Sequence, residues 1–419
     1  MTAHGRRPKT IIAARMKAMT DTQRDQPARP KRIAVVTSSR ADYGHIYWPM
    51  REMLSHPELE PVLVVTGAHL SPEFGLTVRE IEHDGFPIAA RIECLLSADT
   101  DGAMGRTLGL ATIQFTDALE RLRPDLLLVV ADRYEMLAPA LAALTLRLPI
   151  AHIEGGELST GAIDQQVRNA LTMLSHVHLV TTERARQRLL RMGEEAERIH
   201  RIGTGSLDHL RRSERLDRAA LKEKLAISLR TPVVVVGLHS VTMERETTVE
   251  VNAVLDALRD LNATIVFCFP NADAGGRVIM ERAATFCREH PRAKLFTNLD
   301  PITYWSLLSC ADAMVGNSSS GVMESTSLEL PAVNIGKRQH GRERGTNVID
   351  APAEAGAIRG ALQRALDPAF RESLAGIINP YGDGRAAERL TAVLSQLTID
   401  QGLLEKQGIP DEALHEVSA

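Results

Sequence analysis

The sequence lacks the features that define several large classes of protein. No apolar run reaches the ~18 residues that a membrane-spanning helix requires. The four cysteines are scattered and form no CxxC pair, which argues against a disulfide framework or a structural zinc site and favours a reducing compartment. The formal net charge of −4 provides no basic surplus of the kind that nucleic-acid binding requires. We therefore expect a cytoplasmic protein with no membrane or nucleic-acid partner.

Three motifs of phosphate chemistry, ester hydrolysis and metal chemistry are also missing. A Walker A loop needs a lysine after its last glycine, and the Ser-rich segment 316–321 is followed by none. The chain contains no G-x-S-x-G nucleophile elbow. The H-x-E pattern at His152 is not accompanied by the P-C-x-x-C of zinc deaminases, so a metal site is disfavoured. The serines of the segment are therefore interpreted as ligand-binding residues.

Length and the order of apolar runs predict the fold. A chain of 419 residues exceeds one ordinary core, so two domains are expected. Short runs that are mostly β-branched and apolar throughout alternate with amphipathic segments, as in parallel strands covered by helices on both faces. The Arg-rich stretch 211–230 interrupts this alternation once. The sequence thus predicts an α/β protein with two doubly wound Rossmann-like domains over 31–208 and 209–396.

The two ends of the chain differ in composition from the rest. Residues 1–30 are rich in arginine and lysine and poor in large apolar groups, and residues 397–419 are polar. We expect a disordered leader at the first end and a loosely held tail at the second. A basic interaction arm is an alternative interpretation of the leader, and so is a start of translation at Met16 or Met19.

Polar side chains follow the predicted strands of the first domain, at the edge where open α/β sheets bind ligands. Arg40 stands at a strand-to-helix turn, where it suits a phosphate group. Asp132 and Arg133 end a buried run, where charged groups contribute little to packing, although Asp132 could simply cap a helix. His152 and Glu154 lie two apart and would share one face of a strand. A carboxylate directed into a closed cleft can serve as an acid or a base.

Further candidates lie on a helix and in the second domain. Asp164 and Arg168 are spaced i, i+4 on one helical face, where a surface ion pair is the structural alternative. His239 follows a four-valine strand and could donate to a phosphate or shuttle a proton, unless it is a core histidine. Asn271 ends the next strand in the same way. Segment 316–321 combines small residues and hydroxyls with a predicted helix N-terminus, which favours an anion.

The motifs together resemble those of the hydrolysing UDP-N-acetylglucosamine 2-epimerases, from about Lys31 to Ala386. The matching segments are 40–44, 66–70 with 74–77, 132–135, 152–157, 161–164, 317–321 and 336–342. The resemblance implies a GT-B-like pair of Rossmann domains with the site in the inter-domain cleft and no metal or redox cofactor. It also suggests a homo-oligomer.

The resemblance implies a reaction and a set of residues that carry it. UDP-N-acetylglucosamine and water would give N-acetylmannosamine and UDP, by elimination of UDP through a 2-acetamidoglucal and rehydration. The family's acidic and basic residues correspond to Asp132, Glu154, Asp164, Arg168 and His239. Its nucleotide contacts correspond to Arg40, Arg133, Asn271, Ser318, Ser319, Glu324 and Arg338.

Three positions depart from the family pattern. Asn169 stands where a histidine is usual, Ser240 replaces a proline, and Gln165 replaces a frequent carboxylate. These departures concern the identity of the sugar more than the class of reaction. A related branch acts on an N,N′-diacetylbacillosamine nucleotide for legionaminic acid, and a GT-B glycosyltransferase, which would require an acceptor, is the other alternative.

Overall fold

The computed structural model describes residues 29–96, 100–159, 163–239, 249–269, 276–297 and 299–408. Nearly all of the expected leader and the last part of the tail lie outside these ranges. So do Asn271 and Ser240, and the interpretation of these two positions remains a prediction.

Seven parallel strands form the first sheet, in the order β3-β2-β1-β4-β5-β6-β7. Its strands are β1 (Lys31–Thr37), β2 (Leu59–Thr66), β3 (Ile88–Ile92), β4 (Leu126–Val130), β5 (Ile150–Ile153), β6 (Val177–Val180) and β7 (Ile199–Arg201). The helices around it are α1 (Arg40–Ser55), α2 (Val78–His83), α3 (Asp101–Leu122), α4 (Leu137–Leu146), α5 (Asp164–Leu174) and α6 (Glu183–Met192), and α7 (Ser206–Arg212) and α8 (Arg218–Leu225) follow.

Six parallel strands form the second sheet, in the order β10-β9-β8-β11-β12-β13. Its strands are β8 (Val233–Gly237), β9 (Thr264–Phe269), β10 (Ala293–Thr297), β11 (Ala313–Gly316), β12 (Ala332–Ile335) and β13 (Val348–Ala351). Its helices are α9 (Val249–Leu258), α10 (Gly276–Glu289), α11 (Pro301–Ser309), α12 (Ala355–Ala365) and α13 (Pro368–Glu372), and α14 (Ala386–Gln396) and α15 (Gln401–Leu404) end the described chain. The predicted α/β architecture with two parallel sheets is confirmed.

The apolar runs do not alternate because both faces of each sheet are covered. In β1, Ile33 and Val35 belong to one hydrophobic cluster, whereas Ala34 and Val36 belong to the cluster on the opposite face. Every residue of the central strand β4 is buried. This is the burial that a parallel sheet between two helical layers requires.

The chain returns to the first sheet at its C-terminal end. Leu390 and Leu394 of α14 are buried in the core that β1 and β2 share. The Arg198 guanidinium donates to the carbonyl of Leu403 over 2.7 Å and to that of Glu405 over 2.9 Å. The sequence instead predicts that α14 belongs to the second domain and that the tail is loosely held. The polar composition of the tail hides these contacts, because its backbone carbonyls accept the hydrogen bonds.

The helices and the cysteines can be compared with the predicted absence of membrane spans and disulfides. Among the described residues, no helix combines the length and the apolar character needed to cross a bilayer. All four cysteines are free thiols. Cys94 is buried, whereas Cys268 lines the cavity between the two sheets.

Candidate active site

A cavity of about 700 Å³ lies where the carboxyl ends of strands from both sheets face each other. Its walls come from both halves of the chain, as a site in an inter-domain cleft requires. The predicted residues that line it are Arg40, Arg133, His239, Ser318, Ser319, Glu324 and Arg338. Asp132, Glu154, Asp164 and Arg168 are not part of this lining and form a cluster beside it.

The turn after β1 carries Arg40 into the cavity. Ser39 caps α1 by accepting the amide N–H of Asp42, and Ser38 donates its hydroxyl to the Asp42 carboxylate over 2.6 Å. These hydrogen bonds fix the turn, so Arg40 opens the helix at a defined place. Its Nε lies 3.3 Å from Glu80, and about a third of its side chain is exposed, which leaves it within reach of a ligand.

A second arginine comes from the end of β4. Arg133 Nη2 lies 2.8 Å from the buried carboxylate of Glu135, and both residues line the cavity. The ion pair holds the guanidinium near its place without burying it, since 37% of the Arg133 side chain remains exposed. Cations from two strand ends therefore converge on the same space.

The Ser-rich loop follows β11, and its backbone approaches β8 closely. Gly316 has φ of 138°, and a Cβ there would collide with the carbonyl of Gly237. The expected α-helix N-terminus is absent, since short 3₁₀ turns over Ser319–Gly321 and Ser325–Leu328 follow. Ser325 returns its hydroxyl to the Gly321 carbonyl over 2.9 Å, a side-chain bond that competes with a helix. Hydroxyls and cations, not a helix dipole, supply the field at this loop.

Asn317 arranges the second half of the site. Its buried Oδ1 accepts from the His239 amide over 2.7 Å, and its Nδ2 donates to the His239 carbonyl over 2.9 Å. Nδ2 also donates to Glu250 over 2.6 Å, and the Asn317 carbonyl accepts from Arg338 over 3.1 Å. In the sequence, Asn317 is recognisable only as part of the matching segment 317–321, which predicts no role for it. The one sequence feature that could indicate a role for Asn317 is its amide side chain, which stands between small residues just after a strand.

His239 reaches the cavity as a neutral ring. Burial, together with the charge of Arg338, lowers its pKa to about 3. A neutral imidazole has one N–H donor and one acceptor nitrogen. His239 can therefore contribute a hydrogen bond or accept a proton, but near neutral pH it adds no positive charge.

Asp132 and Arg168 form the centre of the carboxylate cluster. Arg168 is buried, pairs with the Asp132 carboxylate and donates to the Glu154 carbonyl over 2.6 Å. Ser159 donates its hydroxyl to the same Asp132 oxygen over 2.7 Å. Burial acts to raise the pKa of Asp132, but Arg168, Ser159 and the charge of Arg342 outweigh it and the pKa is lowered.

Arg342 contributes to this cluster from the second half of the chain. Its Nε donates to the carbonyl of Leu158 over 2.9 Å, which ties the loop after β12 to the loop after β5. The sequence does not predict Ser159 as a partner of Asp132, and it marks Arg342 only as the end of the matching segment 336–342. Neither has a local signal, because the partners are far apart in the sequence.

Asp164 has the opposite electrostatic environment. Burial and the nearby negative charge of Asp132 raise its pKa. Two neighbouring carboxyl groups thus have pKa values that are displaced in opposite directions. Such a pair can divide the roles of proton donor and ionised group between its members.

Glu154 stands just beyond β5 with φ of 66°, in the left-handed region. The expectation that it shares a strand face with His152 is wrong, because the strand ends at Ile153 and the alternation stops there. His152 is buried instead, with Nε2 2.8 Å from the Ala131 carbonyl. The carboxylate of Glu154 turns toward Thr204, whose hydroxyl donates to it over 3.2 Å.

Comparison with known proteins assigns the class. The model of the UDP-N-acetylglucosamine 2-epimerase family matches residues 51–395. The chain belongs to this family, and the resemblance seen in the sequence is confirmed. It is an enzyme of the hydrolysing 2-epimerase class that acts on nucleotide sugars.

Two relatives and one solved structure show how far the similarity extends. The chain is 36% identical to the GDP/UDP-N,N′-diacetylbacillosamine 2-epimerase (hydrolyzing) of Campylobacter jejuni, over 82% of this chain and 89% of the relative. It is 34% identical to the UDP-N,N′-diacetylbacillosamine 2-epimerase (hydrolyzing) of Legionella pneumophila, over 90% and 98%. The fold is similar to that of the S. aureus MnaA–UDP co-structure, with a TM-score of 0.73 and 18% identity over 87% of this chain and 96% of that one.

Proposed function

We propose that the enzyme hydrolyses and epimerises a nucleoside diphosphate sugar with an acetamido group at C-2, and that the sugar is N,N′-diacetylbacillosamine. The observation that carries the proposal is a cation-lined cavity beside two carboxyl groups with oppositely shifted pKa values. The names of the C. jejuni and L. pneumophila relatives support this sugar. UDP-N-acetylglucosamine, converted to N-acetylmannosamine, is the alternative, and the name of the matching family supports it.

The nucleotide occupies the 700 Å³ cavity in this proposal. Arg40, Arg133 and Arg338 approach the diphosphate, for which guanidinium groups are well suited. Ser318 and Ser319 add hydroxyl donors. Glu324 is buried in the same wall, and its carboxyl oxygens can accept hydrogen bonds from the ribose hydroxyls. These groups stabilise the charge that develops on the leaving diphosphate.

The reaction takes two steps at the sugar. A carboxylate removes the C-2 proton while the bond from C-1 to the diphosphate oxygen breaks, and the electron pair leaves with the nucleoside diphosphate. The product of this step is a 2-acetamidoglycal. A water oxygen then bonds to C-1 and gives up one proton to a carboxylate, and a proton is delivered to the opposite face of C-2. The net products are the nucleoside diphosphate and the free 2-epimeric sugar.

The shifted pKa values of Asp132 and Asp164 support a division of roles among the three carboxyl groups. Asp132 remains ionised, so it serves to hold Arg168 and to raise the pKa of Asp164. Asp164 keeps its proton to higher pH and suits the delivery step. Glu154 is assigned the transfer on the other face of C-2, because its charge also acts on Glu324 in the nucleotide cavity.

One incubation tests the reaction and the sugar together. Separate samples receive UDP-N-acetylglucosamine, UDP-N,N′-diacetylbacillosamine and the GDP form of the latter, in deuterated water without an acceptor. We expect free nucleoside diphosphate and free sugar with deuterium at C-2, fastest from a diacetylbacillosamine nucleotide. Release only after an acceptor is added would indicate a glycosyltransferase. Recovery of an intact epimeric nucleotide sugar would indicate a non-hydrolysing epimerase.

Replacing Glu154 by glutamine tests its role in proton transfer. Glu154→Gln keeps the size of the side chain and removes its charge, so we expect turnover to fall at least about 100-fold. The Kd for UDP should be unchanged, because Glu154 does not line the nucleotide cavity. Initial rates and calorimetric UDP binding measure the two quantities. Glu372→Gln, an exposed position on α13, is the matched control. Turnover close to wild type would remove Glu154 from the chemistry.

A further inference from the structure

His45 is absent from the residues proposed above to bind the nucleotide or to transfer protons. It lies on α1, five residues after Arg40. Its Nδ1 is 3.1 Å from Oε1 of Glu154, and 21% and 9% of the two side chains are exposed. Nδ1 is itself buried and makes no aligned hydrogen bond with any described residue. A small rotation of the ring would direct its N–H onto the Glu154 carboxylate.

The backbone around His45 is fixed against the segment that connects the two sheets. A Cβ at Gly205 would lie 2.5 Å from the His45 carbonyl, so a larger residue could not replace this glycine without a shift. The His209 ring nitrogen Nε2 lies 3.0 Å from the carbonyl of Gly44, the residue before His45. The start of α1 therefore has little freedom, and the His45 ring is presented to Glu154 from a rigid position.

His45 lies between two carboxylates that come from different halves of the chain. Thr204 donates to the same Glu154 oxygen that faces His45. Glu324, from the second half, responds to both groups, since Glu154 acts to raise its pKa and His45 acts to lower it. The pKa of His209 on α7 also responds to His45, whose charge acts to lower it. His45 therefore lies near both Glu154, which is proposed to transfer a proton, and Glu324, which lines the nucleotide cavity.

We propose that His45 is a positioning residue that orients Glu154 for proton transfer and, when protonated, stabilises the ionised form of that carboxylate. This inference rests on the proposed function, in which Glu154 moves a proton at C-2. No contact to the ligand is assigned to His45. Its effect should therefore appear in turnover and not in binding.

Two substitutions at His45 separate the effect of its hydrogen bond from the effect of its charge. His45→Leu removes both, and we expect kcat to fall by up to about 100-fold, the cost of a misplaced reacting group. KM and the Kd for UDP should stay within about twofold, as for a group that acts only in the chemical step. His45→Gln keeps a donor and should retain most of kcat. His56→Leu, the same exchange at the other end of α1, is the matched control.

The pH profile provides the readout that a purely structural role would not change. Removing a cation favours the protonated carboxyl group, so the limb of the kcat profile that belongs to Glu154 should move to higher pH in both variants. The limb that belongs to Glu154 is the one that disappears from the kcat profile of the Glu154→Gln variant. His56→Leu should leave it in place.

The outcomes separate this inference from the function on which it depends. A wild-type enzyme that turns over no nucleotide sugar would end the proposed function and this inference together. An active wild type, with a His45→Leu variant of equal kcat and an unmoved limb, would overturn the inference alone. So would a variant in which KM and UDP affinity worsen in proportion to kcat. If His45→Leu fails to fold, the position of the Glu154 limb in the kcat profile of His45→Gln decides, and an unmoved limb overturns the inference.

Discussion

The two halves of the chain face the cleft with different chemistry. On the first sheet, buried Arg168 pairs with the partly exposed Asp132 beside Asp164 and Glu154, and the pKa values of Asp132 and Asp164 are shifted in opposite directions. On the second sheet, Asn317 and the serines arrange the loop mainly through hydrogen bonds with backbone groups, and Asn317 also bonds to Glu250 and Arg338. Carboxyl groups with shifted pKa values suit proton transfer, and hydrogen-bond donors of fixed geometry suit the binding of an anion. We therefore predict that changes in the carboxylate cluster of the first half alter turnover, whereas changes in the Ser-rich loop of the second half alter binding.

Arg168→Met is the strongest test of the first half. It leaves the Asp132 charge buried without its cation, so we expect the free energy of unfolding to fall by about 3–5 kcal/mol. Turnover should fall by at least about 1000-fold, because the pKa of Asp132 rises and its effect on Asp164 disappears. Urea unfolding and initial rates measure the two effects.

Two control variants distinguish charge from packing at this pair. Asp132→Asn combined with Arg168→Met removes both charges and should recover most of the lost stability without recovering turnover. Arg168→Lys keeps the charge but not the planar fork, and should be intermediate in both. Wild-type stability and turnover in Arg168→Met would show that the pair carries neither function.

The sequence predicts the fold well because the decisive signal is local. Runs such as Val233–Gly237 are buried on both faces and read as parallel strands without any knowledge of their partners. The positions of Asp132 and His239 follow from the same signal, since ligands meet the carboxyl ends of such strands. The sequence therefore predicts mainly those site residues that lie at the ends of strands.

The remaining features depend on contacts between distant segments or on backbone geometry. The approach of His45 to Glu154 joins residues that are far apart in the sequence. The left-handed backbone of Glu154 removes it from the alternation that placed it on the face of His152. Short 3₁₀ turns stand where the sequence predicts a helix after the Ser-rich loop, and the Ser325 hydroxyl bonds to the Gly321 carbonyl there. Periodicity contains no information about any of these.

Asn317→Ala tests the second half. It removes both hydrogen bonds that hold the His239 backbone, and the loss of a buried hydrogen bond costs about 1–3 kcal/mol. We expect the Kd for UDP to rise about tenfold or more, which corresponds to 1.4 kcal/mol. Turnover at saturating substrate should change much less. Asn317→Asp keeps the acceptor and should bind UDP with intermediate affinity. An unchanged UDP affinity, measured by calorimetry, would count against the binding role of this loop.

The smallest predicted difference concerns acid stability. Burial lowers the pKa of His69 and His176 to about 4 and of His152 to about 3, all in the first half, whereas His239 is the shifted histidine described in the second half. Unfolded histidine titrates near 6.5, so the unfolded state binds more protons below that pH. The stabilisation is present above about pH 6.5 and is lost as the pH falls toward these lower values. Asp208, with a pKa raised to about 6, opposes the trend only in part.

The two tryptophans allow each half to be followed separately. Trp48 lies on α1 beside His209, and Trp305 lies on α11 in the core of the second half. Trp305→Phe leaves Trp48 as the reporter, and Trp48→Phe leaves Trp305. Between about pH 7 and pH 5, the urea midpoint reported by Trp48 should fall further than that reported by Trp305, because more buried neutral histidines surround the first sheet. His152→Gln should reduce the pH dependence of the Trp48 midpoint only, and His239→Gln that of the Trp305 midpoint only. Equal pH dependence at both reporters would mean that the halves unfold as one unit, which the contact of α14 with the first core would then explain.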